Sequence, residues 1–255
     1  MAPAGTVNHF SSESREYSYA RPKYPEDLFK FLNKITPVKD LAWDCATGNG
    51  QAAISLCKYF KKVIASDASK NQIDNAFDRD NINYDVFPAE KSNIQNNSVN
   101  LITVAMAVHW FDFEMFYREA RRVSQSSGII AVWAYGMQKI SPEIDEISER
   151  LNVGGDILGN YWPKEVKFVK EEYKTIPFPF KEIEAPKFEI KVDWNLNNLF
   201  DYMQTWSAVK RFYAENKYDP LSAVEEDLKN LWGKDDEIKL VKWDLNLRVG
   251  SIIDK

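Results

Sequence analysis

The segment Trp43-Asp44-Cys45-Ala46-Thr47-Gly48-Asn49-Gly50-Gln51 sets two glycines where a short apolar run gives way to a helical one. Glycine in such a turn lets a ligand approach the main chain, and the helix start beyond it offers unpaired N–H groups. Asp67 closes the next apolar run, where a carboxylate can accept both hydroxyls of a ribose. Glu90 follows the third run, where a carboxylate can accept from the exocyclic amine of an adenine. These positions describe a nucleotide lying across the carboxyl ends of successive strands. They leave open a dinucleotide site of the dehydrogenase kind, with NAD as cofactor and Ala53 standing for the last glycine of a G-x-G-x-x-G turn. The two cysteines, Cys45 and Cys57, fall in expected core, and with only His9 and His109 beside them no metal site is expected.

Such a site needs a parallel sheet to carry it. From Lys39 to Tyr135 short apolar runs alternate with amphipathic stretches, the pattern of successive βα units. Strands are expected over Leu41–Cys45, Lys62–Ser66, Tyr84–Phe87, Leu101–Ala107 and Gly128–Trp133, with helices over Gln51–Tyr59, Lys70–Arg79 and Phe113–Val123. Ahead of them Pro22 and Pro25 precede a helix over Glu26–Asn33 with acidic residues in its first turn. After Tyr135 a helix over Ser141–Leu151 leads into a proline-punctuated stretch. The alternation of Phe188, Ile190, Val192 and Trp194 then predicts a strand, followed by helical runs over Leu196–Tyr213 and Leu221–Trp232 and a last strand over Ile238–Val249.

The expected fold is therefore α/β: a doubly wound, mostly parallel sheet of seven strands with an N-terminal lid and a C-terminal helical cap. We read residues 1–255 as a single domain, with the lid at 1–38, the cofactor-binding core at 39–135, the cap with its late strand at 136–237 and the final strand at 238–255.

Composition narrows the partners. The chain has 255 residues, 44% hydrophobic and 28% charged, which is ordinary for a globular enzyme. A net charge of -5 gives no general attraction to nucleic acid or anionic lipid. The longest apolar stretch, Leu101 to Val108, is far short of the roughly 18 residues that suggest a membrane span, and the polar start lacks the apolar core of a secretory signal. A cytoplasmic monomer or homodimer without nucleic-acid or membrane partners is expected.

Taken in order, DCATGNGQ, the SDAS after the second strand, the AE after the third and AMAVHWFDF after the fourth resemble the motifs of class I methyltransferases, which use S-adenosylmethionine. YSYARPKYP, HWF, TWSAVKRFY and the terminal WG and VKWDLNLRVG resemble the small-molecule branch that includes trans-aconitate methyltransferases. The match covers nearly the whole chain, and Ala46 departs from it where many relatives have glycine. The resemblance implies a Rossmann-like methyltransferase fold in which Asp44 helps bind the methionine amino group and Gly48 and Gly50 let the main chain pass under the cofactor. It implies that Ala46 belongs to the same cofactor turn, that Asp67 holds the ribose, and that Ala68, Ser69, Ala89 and Glu90 flank the adenine. Ala105 would face the methionine moiety, with Tyr19 and Arg21 closing from above. A guanidinium at Arg21 suits paired, charge-assisted bonds to the methionine carboxylate.

A sulfonium methyl is already activated, so the protein's task is to align the acceptor and exclude water. A carboxylate acceptor needs no base, whereas a hydroxyl or amine must lose a proton. His109, just past the fourth strand, is either that base or a hydrogen-bonded part of the pocket wall. Trp110, Phe111, Tyr135, Trp162, Trp206 and Tyr213 are candidates to wall the acceptor pocket, with Arg211 available for an acidic group. The resemblance implies a small organic acceptor such as a carboxylic acid, which the residues alone do not fix. An oxidoreductase and a non-catalytic binding module on the same fold are the alternatives.

Overall fold

The runs of apolar residues in the first half of the chain become strands covered on both faces, which is why they read as nearly continuous hydrophobic segments. In a computed structural model, which describes residues 20–152 and 157–252, α1 (Glu26–Ile35) precedes β1 (Leu41–Cys45), α2 (Gln51–Leu56), β2 (Lys62–Asp67), α3 (Lys70–Asp74) and β3 (Ile82–Val86). Then follow β4 (Val99–Ala105), α4 (Phe113–Val123) and β5 (Ser124–Tyr135). The five strands pair in parallel in the order β3-β2-β1-β4-β5. Successive side chains alternate faces: Ala42, Leu101 and Ala131 join one core layer with α1, while Trp43, Ile102 and Val132 join the other with α4. Helices therefore cover both faces, as the doubly wound expectation requires.

Local chemistry sets the ends of these elements. Asp112 caps α4 by accepting from the Met115 N–H at 3.0 Å. The polar Asn100 is tolerated inside β4 because it accepts from the Leu41 N–H at 2.9 Å and donates to Gln125 at 2.9 Å. Two helices are shorter than expected. α3 stops at Asp74 because the Asn75 side chain donates to the Asn71 carbonyl at 2.8 Å and competes with the helical ladder. The segment after it turns back, its Phe77 N–H donating to Asn49 at 3.1 Å. α2 ends at Leu56, whose carbonyl accepts from the N–H groups of both Tyr59 and Phe60 as the chain turns.

The second half completes the sheet and roofs it. α5 (Pro142–Asn152) and α6 (Lys167–Lys170) lead to the two-residue β6 (Lys181–Glu182) and to β7 (Phe188–Trp194). α7 (Leu196–Gln204), α8 (Ser207–Asn216) and α9 (Glu225–Trp232) precede the long β8 (Lys239–Ser251). β8 runs antiparallel to β5 through Leu245–Ser251. Its other edge pairs with β7 at Lys239–Leu245 and with β6 at Gly250–Ser251, so β6 and β7 lie end to end. Eight strands thus fill seven positions, the seventh shared by β6, which sequence reading does not anticipate, and β7. The expected helix over Leu196–Tyr213 is broken at Thr205 and Trp206, where the Thr205 hydroxyl donates to the Tyr202 carbonyl at 2.6 Å. α9 begins only at Glu225 because Pro220–Ala223 forms a 3-10 turn capped by Asp219. No helix among the described residues is long and apolar enough to cross a membrane.

Candidate functional site

The carboxyl ends of β1 to β5 open into one cavity of about 1270 Å³, roofed by the segment before α1, by residues of α5 and α6 and by the α7–α8 corner. Strand order fixes its layout. The ends of β1, β2 and β3 form one side, the end of β4 the middle, and β5 with the roof the other side. The order reverses between β1 and β4, the position at which open α/β sheets bind ligands.

The turn after β1 is held from below. Asp44 is fully buried, and its carboxylate accepts from the Thr103 hydroxyl at 2.7 Å and from the Thr47 hydroxyl, with the Ala53 N–H favouring its charged form. Burial outweighs these bonds and raises its pKa from 3.8 to about 6. Asp44 therefore lies beneath the turn and not on the cavity wall, and the groups it binds are those of the turn and its neighbours. Ala46 and Gly48 line the cavity in left-handed conformations, with φ of 52° and 58°. A side chain built on Gly48 would meet nothing nearer than Gln72 at 3.9 Å, so the main chain there is open to a ligand. Gly50 has φ of 92°, and a Cβ on it would lie 2.3 Å from the Tyr84 hydroxyl. Its glycine makes room for Tyr84, not for a ligand, and Gly50 is not on the wall.

Asp67 is on the wall, its carboxylate accepting from the Gly48 N–H at 3.0 Å and the Ser69 N–H at 2.8 Å. Each oxygen keeps further accepting capacity toward the cavity. Ala68, Ala89, Glu90 and Ala105 also line it, whereas Ser69 does not. Glu90 accepts from the Asp112 N–H at 3.2 Å.

Beyond β4, His109 sits on a 3-10 turn, Val108–Trp110, at the cavity wall. The residue is 5% exposed, and its Nδ1 lies 2.7 Å from the Tyr173 hydroxyl. Burial lowers its pKa to about 4 against the opposing charge of Glu165, so the imidazole is neutral at pH 7. Trp110, Phe111, Tyr135, Trp162 and Trp206 all reach the cavity, Trp110 at its exposed rim. Arg21 reaches it too, donating to the Tyr135 hydroxyl at 3.4 Å and the Thr205 carbonyl at 3.3 Å, with its guanidinium 5.3 Å from the Tyr202 ring centre.

Two expectations for the acceptor side need correction. Arg211 and Tyr213 are exposed and away from the cavity. Lys210, one position earlier on α8, lies on the wall instead, as do Lys139 and Lys170. Tyr19 lies outside the described residues. Sequence reading also misses Gln138 and Asn152, which line the cavity, and Tyr173, which lies behind its wall. Gln138 and Asn152 are buried polar residues at the β5 end and on α5, an imbalance a pattern search could have flagged. Tyr173 sits in the irregular proline-rich stretch and carries no such signal. Among the described residues no group of three or more acidic, histidine or cysteine side chains could hold a metal ion.

The wall thus offers a ribose acceptor at Asp67, an open main chain at Gly48 and a guanidinium at Arg21, a donor and acceptor set that fits an adenosyl group with an amino-acid tail. Comparison with known proteins agrees. The family described as a methyltransferase domain matches residues 43–132. A Dictyostelium discoideum protein provisionally named a methyltransferase is 34% identical over 99% of this chain and 97% of its own. A Saccharomyces cerevisiae protein, provisionally named an S-adenosylmethionine-dependent methyltransferase, is 30% identical over 58% of this chain and 55% of its own. A solved structure from Anaeromyxobacter dehalogenans, described provisionally as a type II methyltransferase, is 36% identical and superimposes with a TM-score of 0.85 over 92% of this chain and 99% of that one. The dinucleotide oxidoreductase and the non-catalytic module fall with these matches. A parallel sheet with its order reversing between β1 and β4, a glycine turn and acidic strand end facing one cavity, and relatives matched along the full chain make this protein a class I methyltransferase with S-adenosylmethionine as its methyl donor.

Proposed function

We propose that the protein methylates a small organic acid on a carboxylate oxygen. The observation that carries this reading is the continuity of the cavity. Its β1–β3 side has the nucleoside chemistry of Asp67 and Gly48, and its β5 side is an aromatic chamber whose wall also carries charges of both signs, Lys139, Lys170 and Lys210 beside Asp145, Glu149, Glu172 and Asp244. A volume of about 1270 Å³ exceeds the roughly 300–1,000 Å³ of an ordinary small-ligand site, leaving room for a nucleoside cofactor and a small acceptor together.

When bound, the sulfonium supplies an activated methyl group. In this reading the chain's residues do the rest. Asp67 accepts from the ribose, Glu90 from the adenine amine, and Arg21 pairs with the methionine carboxylate. Trp110, Tyr135, Trp162 and Trp206 exclude water from the reacting atoms and orient an apolar acceptor body. Lys210 draws the acceptor's negative charge toward the chamber. His109, neutral at pH 7 and already hydrogen-bonded, is a weaker base than a free histidine, which favours an acceptor that attacks as an anion over one that must first be deprotonated.

The test has two stages. Calorimetry is expected to give micromolar binding of S-adenosylmethionine and S-adenosylhomocysteine and at least tenfold weaker binding for Asp67→Ala; unchanged affinity in the variant removes Asp67 from the ribose site. S-adenosylhomocysteine release is then followed with matched sets of small carboxylic acids, alcohols and amines. Turnover confined to alcohols or amines overturns the carboxylate reading.

A further inference from the structure

Among the described residues, His109 has a side-chain partner at one ring nitrogen. Its Nδ1 faces the Tyr173 hydroxyl at 2.7 Å, and the residue lines the cavity. Tyr173 is wholly buried, and burial pushes its hydroxyl well above the ordinary range, so it keeps its proton. The turn that delivers it is built at some cost: Glu172 and Tyr173 are consecutive non-glycine residues with φ of 56° and 58°. That turn is tied down by the Tyr173 N–H donating to the Phe168 carbonyl at 2.8 Å and by Arg248 of β8, which donates to the carbonyls of Ile176 at 2.8 Å and Tyr173 at 3.4 Å.

The phenol has one hydrogen to place and, among the described residues, one side-chain acceptor within reach, the lone pair of Nδ1. Its oxygen already faces the His109 main-chain N–H as a donor. If Nδ1 carried the imidazole proton and donated to the phenol oxygen, a buried O–H would be left without an acceptor, an arrangement native interiors avoid. With the phenol donating instead, the proton of the neutral ring must sit on Nε2.

We infer that Tyr173 is a positioning residue that fixes His109 as its Nε2–H tautomer, so that the imidazole presents a hydrogen-bond donor, and not a base, to the methyl acceptor. What this means for the substrate rests on the proposed methylation of a carboxylate. One carboxylate oxygen accepts from Nε2–H while the other uses a lone pair to form the new O–CH₃ bond as the S–CH₃ pair returns to sulfur, and no proton changes hands. An alcohol bound in the same way would find no acceptor for its proton on His109.

The tautomer can be read without any acceptor or cofactor. The chain has two histidines, so a His9→Gln variant of the full-length protein leaves one imidazole in a long-range ¹H–¹⁵N spectrum. At pH 7 the expected pattern is a protonated, pyrrole-like Nε2 and an unprotonated, pyridine-like Nδ1. In Tyr173→Phe the two nitrogen shifts are expected to move toward each other as the second tautomer becomes populated. A pyrrole-like Nδ1 in the His9→Gln protein overturns the inference, whether or not the Tyr173 variant folds, and so does a Tyr173→Phe spectrum identical to its parent. Failure to bind S-adenosylmethionine would sink the methyl-transfer reading and leave the tautomer untouched, so the two results are separable.

Discussion

Asp44 and His109 are buried ionisable groups of opposite type, and the structure perturbs them in opposite senses. Asp44 is raised from 3.8 to about 6, so between those values the folded protein holds a proton that the unfolded chain has lost, and stability from this group rises as pH falls. His109 is lowered from 6.5 to about 4, so over almost the same interval the unfolded chain is protonated and the folded protein is not, and stability from this group falls as pH falls. At about 1.4 kcal/mol per pH unit each amounts to about 3 kcal/mol in full, of which about 2 kcal/mol is realised between pH 7.5 and pH 4.5. In the native protein the two nearly cancel. Single variants separate them. Relative to the parent, Asp44→Asn should lose about 2 kcal/mol of unfolding free energy on going from pH 7.5 to pH 4.5, and His109→Gln should gain about as much. Urea denaturation at four pH values measures both, and the difference from the parent at each pH removes the background of other carboxylates. A stability difference that stays constant with pH in Asp44→Asn would refute the assignment of a buried, proton-seeking carboxylate.

The two glycines of the turn should fail differently. Gly50→Ala forces a Cβ onto the Tyr84 hydroxyl and should cost about 2 kcal/mol or more in thermal or urea unfolding, whereas Gly48→Ala carries mainly left-handed strain of about 1 kcal/mol but should weaken S-adenosylmethionine binding by calorimetry. Equal destabilisation by the two would show that Tyr84 is not what requires Gly50. At Ala46, already left-handed at φ of 52°, replacement by glycine relieves about 1 kcal/mol of strain and adds a similar amount of unfolded-chain freedom. Ala46→Gly should therefore melt within a few degrees of the parent, and a loss well beyond 1 kcal/mol would mean that the alanine methyl makes a contact worth more than its strain.

The parts of the fold legible in the sequence are those governed by periodicity. β1, α4 and β7 begin and end where the apolar pattern does, because each is bounded by an abrupt change in composition or by a cap such as Asp112. Helix ends set by side chains competing for main-chain carbonyls were less legible: Asn75 closes α3, and Thr205 divides what reads as one helix into α7 and α8. In the site, Lys210 and not the expected Arg211 lies on the cavity, a difference of one position along α8. Order along the chain located Asp67, Glu90 and His109 on one cavity because parallel strands all end on the same side of the sheet. It could not distinguish Gly48 from Gly50, since the residue that demands Gly50 is Tyr84 on another strand. Tyr173 was invisible for the same reason: its importance lies in a contact 64 residues away along the chain.

The place of β8 governs how the molecule can assemble. This strand inserts between β5 and the β6–β7 edge, yet it emerges in synthesis roughly a hundred residues after β5, so its pairing carries a large loop-closure cost. Until it arrives, the Ile129–Tyr135 edge of β5 has paired on one side only, and it presents open main-chain groups flanked by side chains that are buried in the finished sheet. A nascent chain halted before Lys239 would therefore display an adhesive apolar ribbon, and the cell must shield it, or outrun its self-association, for as long as the ribosome takes to reach β8.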